Sequence, residues 1–249
     1  MLPIASAAPV TATSSDPNVN DVVGLSTKHQ PKTTLKGVRS KQEYLLGWIA
    51  NMKVSNYLGR EIDIAEYSVK DVDFLDICHR LSLECRWGGG CKRFYSVGEH
   101  SLWVGKVARM LGVPMLHGLL HDAHEAYLKD IPTPLKRYLP EWYGFAAKQI
   151  DSAIYERLEL PMPTEAEAEV VHKADMIVAY IEASRLMDAT HPVMNRIERP
   201  HHDFFAACEF FTGSTLNIEK SLMWYIRMEA NAMGSQFEAW PDGMQANKI

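Results

Sequence analysis

No C-x-x-C pair occurs among Cys78, Cys85, Cys91 and Cys208, which excludes a zinc ribbon and a thioredoxin-like redox centre and leaves reduced thiols as the expectation. Positive charge is short as well: 26 Lys and Arg against 31 Asp and Glu give a formal charge of -5. A stable grip on nucleic acid through phosphate neutralisation is therefore not expected, and any phosphate site must be a local basic pocket. No apolar run approaches the roughly 20 residues of a membrane-spanning helix, so no membrane partner and a soluble chain are expected. Aromatic residues are missing before Tyr44, and the first 40 residues hold four prolines among many Ser, Thr and Asn. Such a stretch cannot bury enough surface to offset chain entropy, so residues 1–40 read as a disordered or arm-like tail. A secretory signal is not expected, because the first basic residue is Lys28 and no long apolar core precedes Ala5 to Ala8.

What is present is the makings of one domain, residues 41–249, in a chain of 249 residues that is 47% apolar and 23% charged. Its period is helical. Phe74, Ile77, Cys78, Leu81 and Cys85 recur at spacings of three and four, with Ser68 as the expected N-cap. Val97 to Leu111 repeats the pattern and Gly112 supplies a stop, and Pro114 opens a further helix through His121 to Glu125. Helices also follow around Trp142 to Leu158, after a capping box at Thr164 and Glu167, and from Leu216 to Met233. Strand-like alternation is nowhere sustained. The fold class expected is all-α.

Several chemistries fail for want of a neighbour. Gly88, Gly89 and Gly90 lead into Cys91 and Lys92 and lack the G-K-[ST] ending of a phosphate loop, so they read as a flexible turn. His124 and Glu125 begin like a zinc-protease helix, but position 128 is Leu where a second His is required. No G-x-S-x-G elbow exists.

The informative pair is His121-Asp122, set among mostly apolar residues. Glu125, four positions on from His121, lies on the same helical face. Asp130 and Lys136 follow in the loop, His100 sits on the preceding helix, and Asp175 stands mid-helix in an apolar stretch. A carboxylate there needs a partner, because an isolated buried charge is costly. The second copy, His202-Asp203, runs into Phe204 and Phe205 without polar companions and reads as structural, as do His117 and His124. Two histidines with two aspartates make a mixed nitrogen and oxygen set suited to one divalent ion of the Mn, Fe, Co, Ni or Zn kind, with Mg also admitted.

In this order the residues resemble the HD-domain metal-dependent phosphohydrolases, and within them the branch of bacterial 5'-deoxynucleotidases and small phage dATP triphosphohydrolases. The resemblance rests on Arg86-Trp87, on Ser96 to Ser101 with its S-x-x-E-H-S form, on His121 to Glu125, on Asp130-Ile-Pro-Thr-Pro-Leu-Lys136, and on Lys173-Ala174-Asp175. It covers residues 72–187. It implies an HD-domain helical bundle in which His100, His121, Asp122 and Asp175 hold the metal. It implies that Glu125 positions a water or moves its proton, and that Asp130 approaches the scissile phosphate or sugar. Arg86 and Lys136 would clamp phosphate and Trp87 would lie against the sugar or base. Two departures stand out, His124 where the family has a small residue and Gly89 near the expected apolar base contact.

The function expected is a deoxynucleoside 5'-phosphate hydrolase, with a dATP triphosphohydrolase releasing deoxynucleoside and triphosphate placed first, on the glycine turn and on Lys92 or Arg93 as extra cations. A 5'-deoxynucleotidase acting on monophosphates is the alternative. An alarmone hydrolase is disfavoured by Ala126 where that branch has Asp, and a non-catalytic metal-binding helical module is set behind both. The resemblance also implies a homo-oligomer, located in the cytoplasm, or in the host cytoplasm if phage-encoded.

Overall fold

The computed structural model describes residues 53–187, 191–208 and 215–240. The expected tail, and the expected start of the domain near residue 41, lie outside these residues. The described chain is an all-α bundle with one small hairpin. Strands β1 (Lys53–Ser55) and β2 (Glu61–Asp63) pair antiparallel, Val54 opposite Ile62, around a turn where Gly59 takes a positive φ of 79°. Each strand has three residues, too few for alternation to show in the sequence.

Helix α1 (Phe74–Leu83) starts at Asp73, whose carboxylate accepts from the backbone of Leu75 and Asp76. The Ser68 cap expected for it belongs instead to a separate 3-10 turn, Val69–Asp71. The helix also stops before Cys85, because Cys85 forms an antiparallel bridge with Ser96: the Arg86 amide donates to the Tyr95 carbonyl at 2.9 Å and the Val97 amide to Glu84 at 3.0 Å. That bridge draws Arg86-Trp87 alongside the start of α2 (Val97–Met110), capped by Ser96.

Helix α2 is the axle of the bundle. Val97 and Leu102 join one core cluster with Ile77, Leu81, Leu116, Leu119 and Leu222, while Trp103, Val104 and Val107 join a second with Val171, Val178 and Ile181. It packs on α1, on α3 (Met115–Leu120), and on α7 (Glu165–Leu186) and α9 (Thr215–Ala232). Its crossing with α3 is close because both helices carry glycine: a Cβ at Gly118 would stand 2.7 Å from the Gly105 Cα.

The helix expected to run on through His121 to Glu125 is broken. α3 ends at Leu120, the chain tightens into i to i+3 turns (Ala123 amide to Leu120, Glu125 amide to Asp122), and a short α4 (Glu125–Leu128) resumes. Lys129, with φ of 73°, ends it and turns the chain toward α5 (Thr133–Lys136) and α6 (Glu141–Arg157). The Thr164 and Glu167 capping box forms with both of its hydrogen bonds and starts α7. A six-residue α8 (His202–Ala207) precedes α9. All four cysteines are free. Among the described residues no helix is long and apolar enough to cross a membrane.

Candidate metal centre

Three parts of the fold meet at one point. His100 comes from the first turn of α2, His121 and Asp122 from the broken turn after α3, and Asp175 from the middle of α7. His100 Nε2 lies 3.1 Å from Asp175 Oδ1, 3.3 Å from His121 Nε2 and 3.8 Å from Asp122 Oδ2; His121 Nε2 is 3.1 Å from Asp122 Oδ2. Two donors each about 2.1 Å from an ion stand about 3.0 to 3.4 Å apart at octahedral or tetrahedral angles; His100, His121 and Asp175 are close enough together to hold a single divalent cation, with Asp122 adjoining them and grouped also with His124 and Glu125. The ring orientations suit it too. His100 Nδ1 is held by Glu182 at 2.6 Å and His121 Nδ1 by the Gly118 carbonyl at 2.8 Å, which leaves both Nε2 atoms facing the centre. No cysteine belongs to the clusters of metal-ligating groups among the described residues, and the set of nitrogen and carboxylate donors is that of a hard to borderline metal.

The charges follow from burial and partners. Burial and the Arg86 charge push the His100 imidazolium down, but Glu182 and Asp175 outweigh them and lift it to about 9. Burial opposes ionisation of Asp122 and Asp175 as well; the two histidines and Arg86 overcome it and hold both carboxyls below their ordinary range. Glu125 goes the other way. It is buried, the Asp122 charge repels its own, and its carboxyl is raised to about 7 despite Lys136, whose ammonium is 2.9 Å from Oε1. Its Oε2 is buried without a hydrogen-bond partner, an atom in want of a ligand or a water.

The phosphate-clamp candidates are already engaged. Arg86 Nε donates to Glu182 at 3.0 Å, while its terminal nitrogens stand at looser distances, 3.4 Å from Asp175 and 3.7 Å from Asp122. Trp87 takes a left-handed φ of 61°; its amide donates to Asp130 Oδ2 at 3.2 Å and its indole to Glu182 at 2.8 Å. Asp130 thus touches the backbone of Trp87. Arg93 makes a paired contact with Glu99 at 2.7 and 3.1 Å and is committed there. The glycine turn is a real turn, with positive φ at Gly88 and Gly89.

Glu182 was not foreseen. It is fully buried and accepts four hydrogen bonds, from His100, Tyr95, Arg86 and Trp87. The sequence does carry a signal for it: Glu182 follows Asp175 by seven residues, two turns along the same face of α7, amid apolar neighbours. Asp151 on α6 also escaped notice; it holds His124 Nδ1 at 3.1 Å, and His124 groups with Asp122 and Glu125 beside the centre. His117 is hydrogen-bonded to Tyr155 in the core. His202 and Asp203 are exposed and pair locally with each other and His201, far in character from the buried centre. Ala126, where the alarmone branch has a carboxylate, is wholly buried. A cleft of about 310 Å³ opens beside the centre, lined among others by His121, Asp122, Asp175, Tyr155, Met162 and Val171.

No protein-family model matches the chain. The uncharacterized protein YfdR of Escherichia coli is 35% identical, over 43% of this chain and 59% of its own length. The uncharacterized protein RCAP_rcc00048 of Rhodobacter capsulatus is 30% identical over 56% and 75%. The 5'-deoxynucleotidase VV1113 of Vibrio vulnificus is 28% identical over 38% and 63%. The matches to YfdR and to the nucleotidase thus span less than two thirds of those proteins. The chain belongs to the family of the Rhodobacter protein.

Proposed function

We propose that this protein is a metal-dependent phosphohydrolase of deoxynucleoside 5'-phosphates, and that monophosphates are its substrates. The observation that carries the reading is the convergence of His100, His121, Asp122 and Asp175, donor atoms from three parts of the fold within a few ångströms of one another. These four would hold the ion. Bound there, a divalent cation supplies positive charge to a phosphoryl group and lowers the pKa of water.

The chain's own groups do the rest. Glu125, with a carboxyl near neutrality and a buried free oxygen, accepts the proton of the attacking water; Lys136 on its other oxygen fixes its direction. As the water oxygen bonds to phosphorus, the bond to the 5'-oxygen breaks and that oxygen takes up a proton, giving nucleoside and inorganic phosphate. Arg86 keeps its Nε on Glu182 and turns its loosely held terminal nitrogens to the phosphate oxygens. Trp87, anchored by Asp130 and Glu182, walls the sugar.

Two observations favour the monophosphate over the dATP triphosphohydrolase reading. The relative named for its activity is a 5'-deoxynucleotidase. A triphosphate needs cations beyond Arg86 and Lys136, and Arg93, one of the two side chains expected to supply them, is bound to Glu99. Incubating the metal-loaded protein separately with dAMP, AMP and dATP and resolving the products tests this. Deoxyadenosine and phosphate from dAMP, with little turnover of AMP, are expected. Release of triphosphate from dATP with dAMP untouched restores the triphosphohydrolase reading.

A further inference from the structure

Glu182 stands between the proposed metal centre and the proposed substrate-reading pair, and each of its oxygens serves one of them. Oε1 accepts from His100 Nδ1 at 2.6 Å and from the Tyr95 hydroxyl at 2.8 Å. Oε2 accepts from the Trp87 indole at 2.8 Å and from Arg86 Nε at 3.0 Å. The carboxylate has no exposure to solvent, so no water stands in for a lost donor. A carboxylate is rigid and planar, and a shift of one oxygen moves the other. Trp87 packs on the second core cluster and meets the His191 ring edge-on at 5.3 Å, but its polar anchors are two: its left-handed backbone is held by Asp130, and its indole has Glu182 as its hydrogen-bond acceptor.

We infer that Glu182 is a positioning residue that couples the two halves of the site, so that metal binding at His100 is transmitted to the orientation of Arg86 and Trp87. The inference rests on the metal-centre reading above and goes beyond it: substrate recognition is set only once the ion has fixed His100. The alternative, that Glu182 merely fills a buried hole with a satisfied charge, predicts no communication between the two ends. Gln at this position separates the two, because an amide presents one acceptor oxygen and a donor nitrogen. It can serve either His100 and Tyr95 or Arg86 and Trp87, and it sets two donors against two donors at the other end.

The test uses the full chain labelled with 5-fluorotryptophan and Zn²⁺ alone as the probe, with the Trp87 fluorine signal assigned through Trp87→Phe. In the unsubstituted protein, Zn²⁺ should shift that signal. In Glu182→Gln at saturating Zn²⁺ the signal should stay where it is without metal, and Zn²⁺ affinity should fall by about 10- to 100-fold, as for other residues that hold a ligand from behind. Where the Gln variant does not fold, Glu182→Asp keeps the charge but is one methylene short of bridging both ends, and should break the linkage in the same way. A Trp87 signal that still follows Zn²⁺ in these variants, or that fails to move in the unsubstituted protein with the ion bound, overturns the inference. Zn²⁺-dependent movement without hydrolysis of any deoxynucleotide supports the coupling and refutes the phosphohydrolase reading, so the two stand or fall apart.

Discussion

At the scale of single residues, the centre is a store of charge that a metal ion resolves. His100, raised to about 9 against an ordinary 6.5, keeps its proton in the metal-free fold, so the stability it contributes is complete below pH 6.5 and lost as pH rises through 9. Glu125, raised to about 7 against 4.5 mainly by burial, also favours the folded state when protonated, and its contribution fades between those values. Glu182, lowered to about 2 because Arg86 and His100 outweigh its burial, contributes above about pH 4.5 and fails toward 2. The metal-free protein should therefore be most stable near pH 4.5 and lose stability from there as Glu125 and then His100 give up their protons. It should lose on the order of 2 kcal/mol between pH 6.5 and 9. A metal needs neutral imidazoles, so the loaded protein should keep its melting temperature over that range. Thermal unfolding with and without ion, at pH 6 and pH 9, checks this; equal loss in both forms contradicts it.

At the scale of elements, the centre depends on how closely α2 and α3 cross. Gly118→Ala places a methyl against the Gly105 backbone, which cannot turn aside as a side chain can. The helices must part, at a cost of about 1–3 kcal/mol, and His121 must move from His100. Weaker metal binding and a lower melting temperature should appear together in a metal titration and an unfolding curve. Gly144→Ala in α6, where nothing lies within 4 Å of the added carbon, should leave binding unchanged and stabilise slightly. Most elements were legible. The apolar spacing located α2, α6 and α9 to within a residue or two, and the Thr164 and Glu167 pair marked the start of α7 because its hydrogen bonds are local. What is set by long-range contact was not legible. The break at His121 looks like continuous helix in sequence, and the true end of α1 depends on a bridge to Ser96, eleven residues beyond Cys85. Glu182 escaped for the same reason: all four of its partners lie more than 80 residues away in the chain.

At the scale of the whole molecule, we propose one HD-type domain over residues 41–249 with a tail, residues 1–40, that carries none of the named site residues, and a homo-oligomeric assembly in the cytoplasm. The proposed function depends on the metal centre. Its most direct test is the metal content and dAMP hydrolysis of one preparation, measured before chelation, after chelation and after readdition of Mn²⁺ or Co²⁺, beside His121→Ala and Asp175→Ala. The account predicts about one ion per chain, activity that disappears with the ion and returns with it, and variants that neither bind nor hydrolyse. Full hydrolysis by the chelated protein, or by a folded Asp175→Ala variant, would contradict it.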